Sequence, residues 1–331
     1  MSRRPDPQSG RAGRPRLGCL GLLAGAVLAL AGAIAVGGAM TALAGTPPLR
    51  GQLVDIGGGR RIHLVCEGPP GGGPTVLFES GAFGFSADWA AVQRRLTAEG
   101  VRSCAYDRAG LGFSDPGPSP RDGLHIAADL EGLLQAAHLP APYILAGHSM
   151  AGLHVHLFAA RNRGKVAGLV LVEAATPSSS LQGPMRTFAQ RFGELAHLAD
   201  WGASSGVLKP FAFMGDSIGL KGPAVAEKRW AFAHGPHNHW AADEVSHWMI
   251  TAKQAADAGP LDPAWPTAVI TAGPGGGWKE AQAEPARGAA HGYVDHVQGA
   301  SHATVLGERF ADHIVKGVEF VRAAAADRSR P

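Results

Sequence analysis

Charge is scarce in this chain. Asp, Glu, Lys and Arg make up only 17% of its 331 residues, against 45% hydrophobic. The formal net charge of +3 owes much to the N-terminus, where Arg3, Arg4, Arg11, Arg14 and Arg16 face only Asp6. The rest of the chain is close to neutral, which excludes a broad nucleic-acid-binding surface. The 47 glycines and 24 prolines follow no collagen-like period, and no internal repeat is present. The run GPGGGW (residues 273–278) lacks the Lys-Ser/Thr pair of a phosphate loop. AHGPHNHWAADEVSHW (233–248) holds four histidines, but His237 and His239 read as part of a Pro/Asn turn and lack the i, i+4 spacing of a zinc helix. No metal and no cofactor is therefore expected. Trp230, Phe232, Trp240 and Trp248 read either as a pocket lining or as ordinary packing of this region.

One stretch lacks charge altogether. From Leu17 to Ala44, LGCLGLLAGAVLALAGAIAVGGAMTALA, about 28 residues pass without an ionisable carboxylate, amine or guanidinium. A bilayer-spanning helix needs about 20. A retained anchor fits this length; a signal peptide cleaved near Ala44, after the small residues ALA, is the alternative. The basic flank keeps residues 1–16, a polar tail with the composition of disorder, in the cytoplasm. The body of the chain then lies outside, either at the cell membrane on a single span or secreted.

The body alternates two patterns. GQLVDIGGGRRIHLVCEG (51–68) reads as a hairpin around a glycine turn. PTVLFES, VRSCAYD, YILAG, VAGLVLVEAA, TAVITAG and GYVDHVQG read as strands. Between them SADWAAVQRRLTAEG, HIAADLEGLLQAAHL and GLHVHLFAARN carry helical spacing, and a helix over roughly Thr304–Ala324 ends the body. Near-continuous apolar strands between helices mean a mostly parallel α/β sheet covered on both faces. Residues 176–266 break the alternation with helical pieces, MRTFAQRFGELAHL and DEVSHWMITAKQAADA, and read as a helical cap.

YILAGHSMAG (143–152) runs a buried strand into a serine fenced by small residues. A strand that turns sharply into a helix forces such a serine into a strained backbone and lifts its hydroxyl above the sheet, with the new helix's free N–H groups behind it. The usual spacing is G-x-S-x-G; here Ala151 holds the last position and Gly152 follows. On these residues alone a helix-capping serine is the other reading. Together with VLFESGAFGFSADWAAV, YDRAGLGFSDPG and VAGLVLVEAA, the chain from about Arg50 to its end resembles the α/β-hydrolases, in particular the bacterial esterase and lipase-like branch.

The resemblance implies an α/β-hydrolase fold, with an eight-stranded type of sheet and a cap, and a serine–histidine–acid triad in that chain order. Ser149 would be the nucleophile and His302, in QGASHATV after the last strand, the base. His148 is a poor base and reads as packed or hydrogen-bonded. The loop after TAVITAG, where most relatives carry Asp, has none, only Glu280 and Glu284. Glu173, at the end of LVLVEAA, is the preferred acid and Glu280 the alternative; Asp295, within the last strand, should face away. Ala82, from SGA after the strand TVLFES, and Met150 would give the oxyanion donors. Phe83 and Phe85 either line the pocket or pack the loop, and Asp107 and Arg108 look structural. In this fold the strands of Cys66 and Cys104 are neighbours, so the pair is either a disulfide or two buried thiols.

The expected activity is a serine esterase acting on a small-molecule acyl substrate. An amidase or peptidase of the same fold is the enzymatic alternative, and a membrane-anchored binding module without activity the non-enzymatic one. Dehalogenase and epoxide hydrolase chemistry would need Asp in place of Ser149.

Overall fold

The computed structural model describes residues 19–43, 45–71 and 73–328. The basic tail 1–16 and Ala44, at the expected cleavage point, lie outside the described residues. The apolar stretch forms one helix, Cys19–Leu43, of which Gly21–Leu43 is long and apolar enough to cross a membrane.

Eight strands build one sheet: β1 Gln52–Asp55, β2 Arg61–Glu67, β3 Thr75–Glu79, β4 Ser103–Tyr106, β5 Tyr143–His148, β6 Val166–Val172, β7 Thr267–Ala272 and β8 Gly292–Val297. Their order is β1-β2-β4-β3-β5-β6-β7-β8. Only the β1–β2 hairpin and the β2–β4 pair run antiparallel; every later pair is parallel. Helical crossovers cover both faces, so β3, β5, β6 and β7 are buried along their whole lengths. The edge strands β1 and β8 are partly exposed.

Side chains alternate across the pleat and build two cores. Leu77, Leu145 and Leu169 point to one face, under the helices Gly123–Ala136 and Ala151–Arg161. Val76, Ile144 and Val170 point to the other, under Ala90–Ala98 and Ala311–Arg328. Each such side chain, taken from water to full burial, stabilises the fold by about 1.5–3 kcal/mol. The C-terminal helix differs from its expected extent. Thr304–Leu306 is a separate 3-10 turn, and the helix itself begins at Ala311.

Between β6 and β7 the chain is helical: Pro177–Leu181, Gly183–Ser204, a 3-10 segment Lys209–Gly215, then Pro223–Phe232, Gly235–Ser246 and Trp248–Asp257. Thr176 starts the first of these with a reciprocal capping box to Ser179. The expected single helical piece over residues 243–258 is divided at His247, which caps the helix beginning at Trp248.

Cys66 and Cys104 face each other in the β2–β4 register and are joined by a disulfide. The bridge closes a loop across a sequence separation of 38, which restricts the unfolded chain. Opening it by reduction, or by Cys66→Ser with Cys104→Ser, is expected to destabilise the protein by about 2–4 kcal/mol. Guanidinium midpoints with and without reductant check this; equal midpoints would disprove it.

Candidate active site

β5 ends at His148, and the helix Ala151–Arg161 starts three residues later. Ser149 occupies the turn at φ +57°, a left-handed conformation that costs a non-glycine residue about 1 kcal/mol or more. The bend is held from both sides. The Ser149 N–H donates to the Val172 carbonyl at 3.0 Å, and the Ser149 carbonyl accepts from the Ala175 N–H at 2.8 Å. Gly152 shows why one neighbour must lack a side chain: a Cβ there would lie 2.3 Å from the Ala175 carbonyl oxygen. Ala151, in the position that is usually glycine, is fully buried without displacing the helix.

Glu173 follows β6 and also holds a positive φ, +48°. Its N–H reaches the Ile270 carbonyl at 2.8 Å, which tucks the residue against β7. One carboxylate oxygen accepts from the Ala272 N–H at 2.7 Å and from the Lys279 ammonium. The other lies 3.1 Å from His302 Nδ1. Burial alone would push this carboxyl up; the bonds from His302, Lys279 and Ala272 outweigh it and hold the group at about 2. An ionised carboxylate can only accept, so Nδ1 of His302 carries the proton. Nε2 is then free to accept from Ser149 Oγ, 3.0 Å away.

A depressed carboxyl stabilises the fold above its unfolded pKa, and that contribution disappears as pH falls through the folded value. The stability advantage of wild type over Glu173→Gln is therefore expected to shrink between an ordinary 4.5 and about 2. Urea midpoints of both proteins down this range test it; a constant difference would contradict the bonding described.

The structure thus brings Ser149, His302 and Glu173 together. Glu280 stands apart. Half-exposed, it bonds Arg287 at 2.8 Å and comes to 3.8 Å from His296. Asp295 faces away from the site and bonds His313 Nδ1 at 2.7 Å. His148 is buried, and its Nε2–H donates to the His302 carbonyl at 2.9 Å, bracing the loop of His302. Burial, then the neighbouring His302, push His148 down to about 3, so it stays neutral.

The loop after β3 presses on the serine. A Cβ on Gly81 would sit 2.8 Å from Ser149 Cβ. Ala82 and Phe83 line the cavity beside Ser149, whereas Phe85 is fully buried in the core. Arg108 braces this loop from behind. It donates to the Ser80 carbonyl, to the Gly81 carbonyl at 2.9 Å, to Glu79 at 2.7 Å and to Glu244 at 2.8–2.9 Å. Burial opposes the guanidinium charge, and Glu244 with Glu79 more than restores it. Asp107 ties the next turn through the Ser86 and Phe113 N–H groups and His63.

The cavity above Ser149 measures about 780 Å³. Met185, Phe188, Phe192, Leu208, Met214, Phe232 and Trp248 line it from the helical segment. The four aromatics divide between the two readings, lining and packing. Trp248 and Phe232 reach the cavity, but Trp230 stacks on Phe113 and His234, and Trp240 packs against Gly110. His237 and His239 lie in the helix Gly235–Ser246, not in a turn. Buried His237 accepts from the Gly112 N–H at 3.0 Å and donates to the Phe83 carbonyl, while exposed His239 meets Asp200.

Three groups escaped sequence reasoning. Lys279 holds Glu173 from the short helix Trp278–Gln282, which follows a glycine run whose path no periodicity reveals. Asp88 and Lys228 form an ion pair at 2.7 Å in the cavity wall, 140 positions apart in the chain. Burial pushes the Asp88 carboxyl up despite that partner.

A serine on a strand-to-helix bend, facing a histidine and a carboxylate at the carboxyl edge of a doubly covered parallel sheet, defines the α/β-hydrolase class of proteins. The sequence profile of the alpha/beta hydrolase fold matches residues 74–272, more than half of the chain, and the protein belongs to that family. A "2-hydroxy-6-oxononadienedioate/2-hydroxy-6-oxononatrienedioate hydrolase" of Cupriavidus pinatubonensis is 34% identical over 132 residues, 38% of this chain and 44% of that one. "Probable transporter efuK" of Hormonema carpetanum is 37% identical over 144 residues, 40% of this chain and 20% of its own. The chain thus spans less than half the length of these curated relatives. A thermophilic esterase from Thermogutta terrifontis shares the fold, with TM-score 0.60 and 21% identity, covering 82% of this chain and 98% of its own.

Proposed function

We propose that the protein is a serine hydrolase that cleaves carboxylic esters and is held at a membrane by the helix Cys19–Leu43. The observation that carries this reading is the chain of contacts from Glu173 through His302 to Ser149, at 3.1 and 3.0 Å. Ser149 Oγ attacks the acyl carbon while His302 Nε2 takes its proton. The N–H groups of Ala82 and Met150 hold the oxyanion, Met150 standing at the start of a helix whose first amides have no intrahelical acceptor. His302 then protonates the departing alcohol. Water, deprotonated by the same imidazole, hydrolyses the acyl-enzyme and releases the acid. Glu173 keeps the imidazole in the required tautomer and supports its positive charge. The apolar cavity suits an acyl chain rather than a highly charged substrate.

A fluorophosphonate probe tests this reading on the full chain. Wild type should be labelled at Ser149, and p-nitrophenyl esters of graded acyl length should be turned over. A folded protein that neither reacts with the probe nor hydrolyses any of the esters would refute the proposal and favour a binding module.

A further inference from the structure

The outer surface of the helical segment is unusually apolar. Phe188, Leu195, Trp201, Phe211, Phe213 and Met214 are 48–65% exposed. All belong to the helix Gly183–Ser204 or to the 3-10 segment Lys209–Gly215 that follows it. Single exposed apolar residues need no explanation, but a cluster of large ones marks a contact surface.

The N-terminal helix identifies what that surface meets. It is exposed almost everywhere, but Gly37 is buried. There its backbone meets Gly206, in the turn between the two patch elements, so closely that a Cβ on Gly37 would fall 2.0 Å from the Gly206 carbonyl oxygen. Gly37 stands six residues before the last residue of the span, Leu43. At 1.5 Å per residue, the contact lies about 9 Å along the helix from its outer end. That matches the roughly 5–10 Å to which an apolar face sinks into the headgroup and acyl boundary. If this helix spans a bilayer, the turn at Gly206 and the aromatic residues around it cannot remain in water.

The same patch borders the cavity. Phe188 and Met214, two of these exposed residues, also line the space above Ser149. The charged residues Arg191 and Glu194 of the helix instead line a separate groove with Ser246. Apolar surface and cavity wall are therefore continuous.

Resting on the anchored-hydrolase reading above, we propose that this face is embedded in the outer leaflet around the anchor and that the enzyme draws its acyl substrate from the bilayer. The substrate class is an acyl ester dissolved in the membrane, reaching Ser149 past Phe188 and Met214 without crossing water.

The test uses the full chain in phosphatidylcholine liposomes, with plain or brominated acyl chains. The difference in fluorescence between wild type and Trp201→Phe isolates the contribution of Trp201. Brominated lipid should quench most of it. The double substitution Phe211→Glu/Phe213→Glu, neither residue lining the cavity, should leave hydrolysis of a short soluble ester unchanged. It should lower kcat/KM for a long-chain ester dissolved in the liposome by about tenfold. Trp201 unquenched in a liposome-bound, ester-cleaving protein overturns this inference and leaves the anchored hydrolase standing. Trp201 shielded from aqueous iodide yet untouched by bromolipid, in a dimeric protein, assigns the face to a second copy and also overturns it. A chain that fails to bind liposomes removes both the anchor and the embedded face, and wild type inert toward soluble and dissolved esters alike refutes the hydrolase reading and the substrate route with it.

Discussion

Replacing Ser149 by alanine is expected to lower kcat toward a p-nitrophenyl ester by roughly 10⁴–10⁶-fold, with little change in KM. In the proposed mechanism the hydroxyl forms the bond that divides the reaction into two steps, and no neighbour is placed to replace it. His148, the nearest other candidate, is buried and commits its Nε2–H to the His302 carbonyl. Fluorophosphonate labelling should vanish with the activity. The fold should persist, because alanine takes up less space and the backbone bonds of the bend involve Val172 and Ala175. The same assay distinguishes the two carboxylates. Glu173→Gln should fall by about 10²–10⁴-fold, since an amide cannot both fix the tautomer and offset the imidazolium charge. Glu280→Gln should stay near wild type. A Ser149→Ala protein that still turned over ester at an appreciable fraction of the wild-type rate would sink the mechanism.

Arg108→Met should destabilise the protein by about 3–5 kcal/mol, the usual consequence of removing one partner from a buried ion pair. Arg108 is 2% exposed, and Glu79 and Glu244 are equally enclosed. Without the guanidinium, two carboxylates face each other's field in a water-poor interior, and the Ser80 and Gly81 carbonyls lose a donor. The substitution should also reduce kcat more than it raises KM, because Arg108 holds the loop that presents Ala82 beside Ser149. Urea midpoints give the first effect and steady-state kinetics the second. A loss of less than about 1 kcal/mol would mean that the network contributes little beyond its own desolvation.

Much of the fold was legible because its signals are local. β5 and β6 are unbroken apolar runs, which only a strand covered on both faces tolerates. The Ser149 bend could be read from the small residues two and three positions from the serine together with the family resemblance, since a strand that turns sharply into a helix leaves little room there for a side chain. The apolar helix was visible as uninterrupted hydrophobicity. Elements whose register depends on partners were read less well. The final helix begins at Ala311, after a 3-10 turn. His237 is helical rather than in a turn, because the bonds it makes to Gly112 and Phe83 come from segments more than 120 positions away. Trp230 and Trp240 carry the composition of a pocket lining, yet their rings are taken up by Phe113 and Gly110.

What the sequence determined by itself was the alternation of strands and helices, the membrane-length apolar helix and the serine on its bend. Each depends on residues within a few positions of one another, so spacing and side-chain size suffice. Only the tertiary structure separated Glu173 from Glu280, because the difference is one of distance: β6 and β7 lie side by side and bring Glu173 to His302 across 129 positions of chain. The disulfide, the Lys279 contact and the approach of Gly37 to Gly206 were decided in the same way, by which surfaces meet once the two cores have formed.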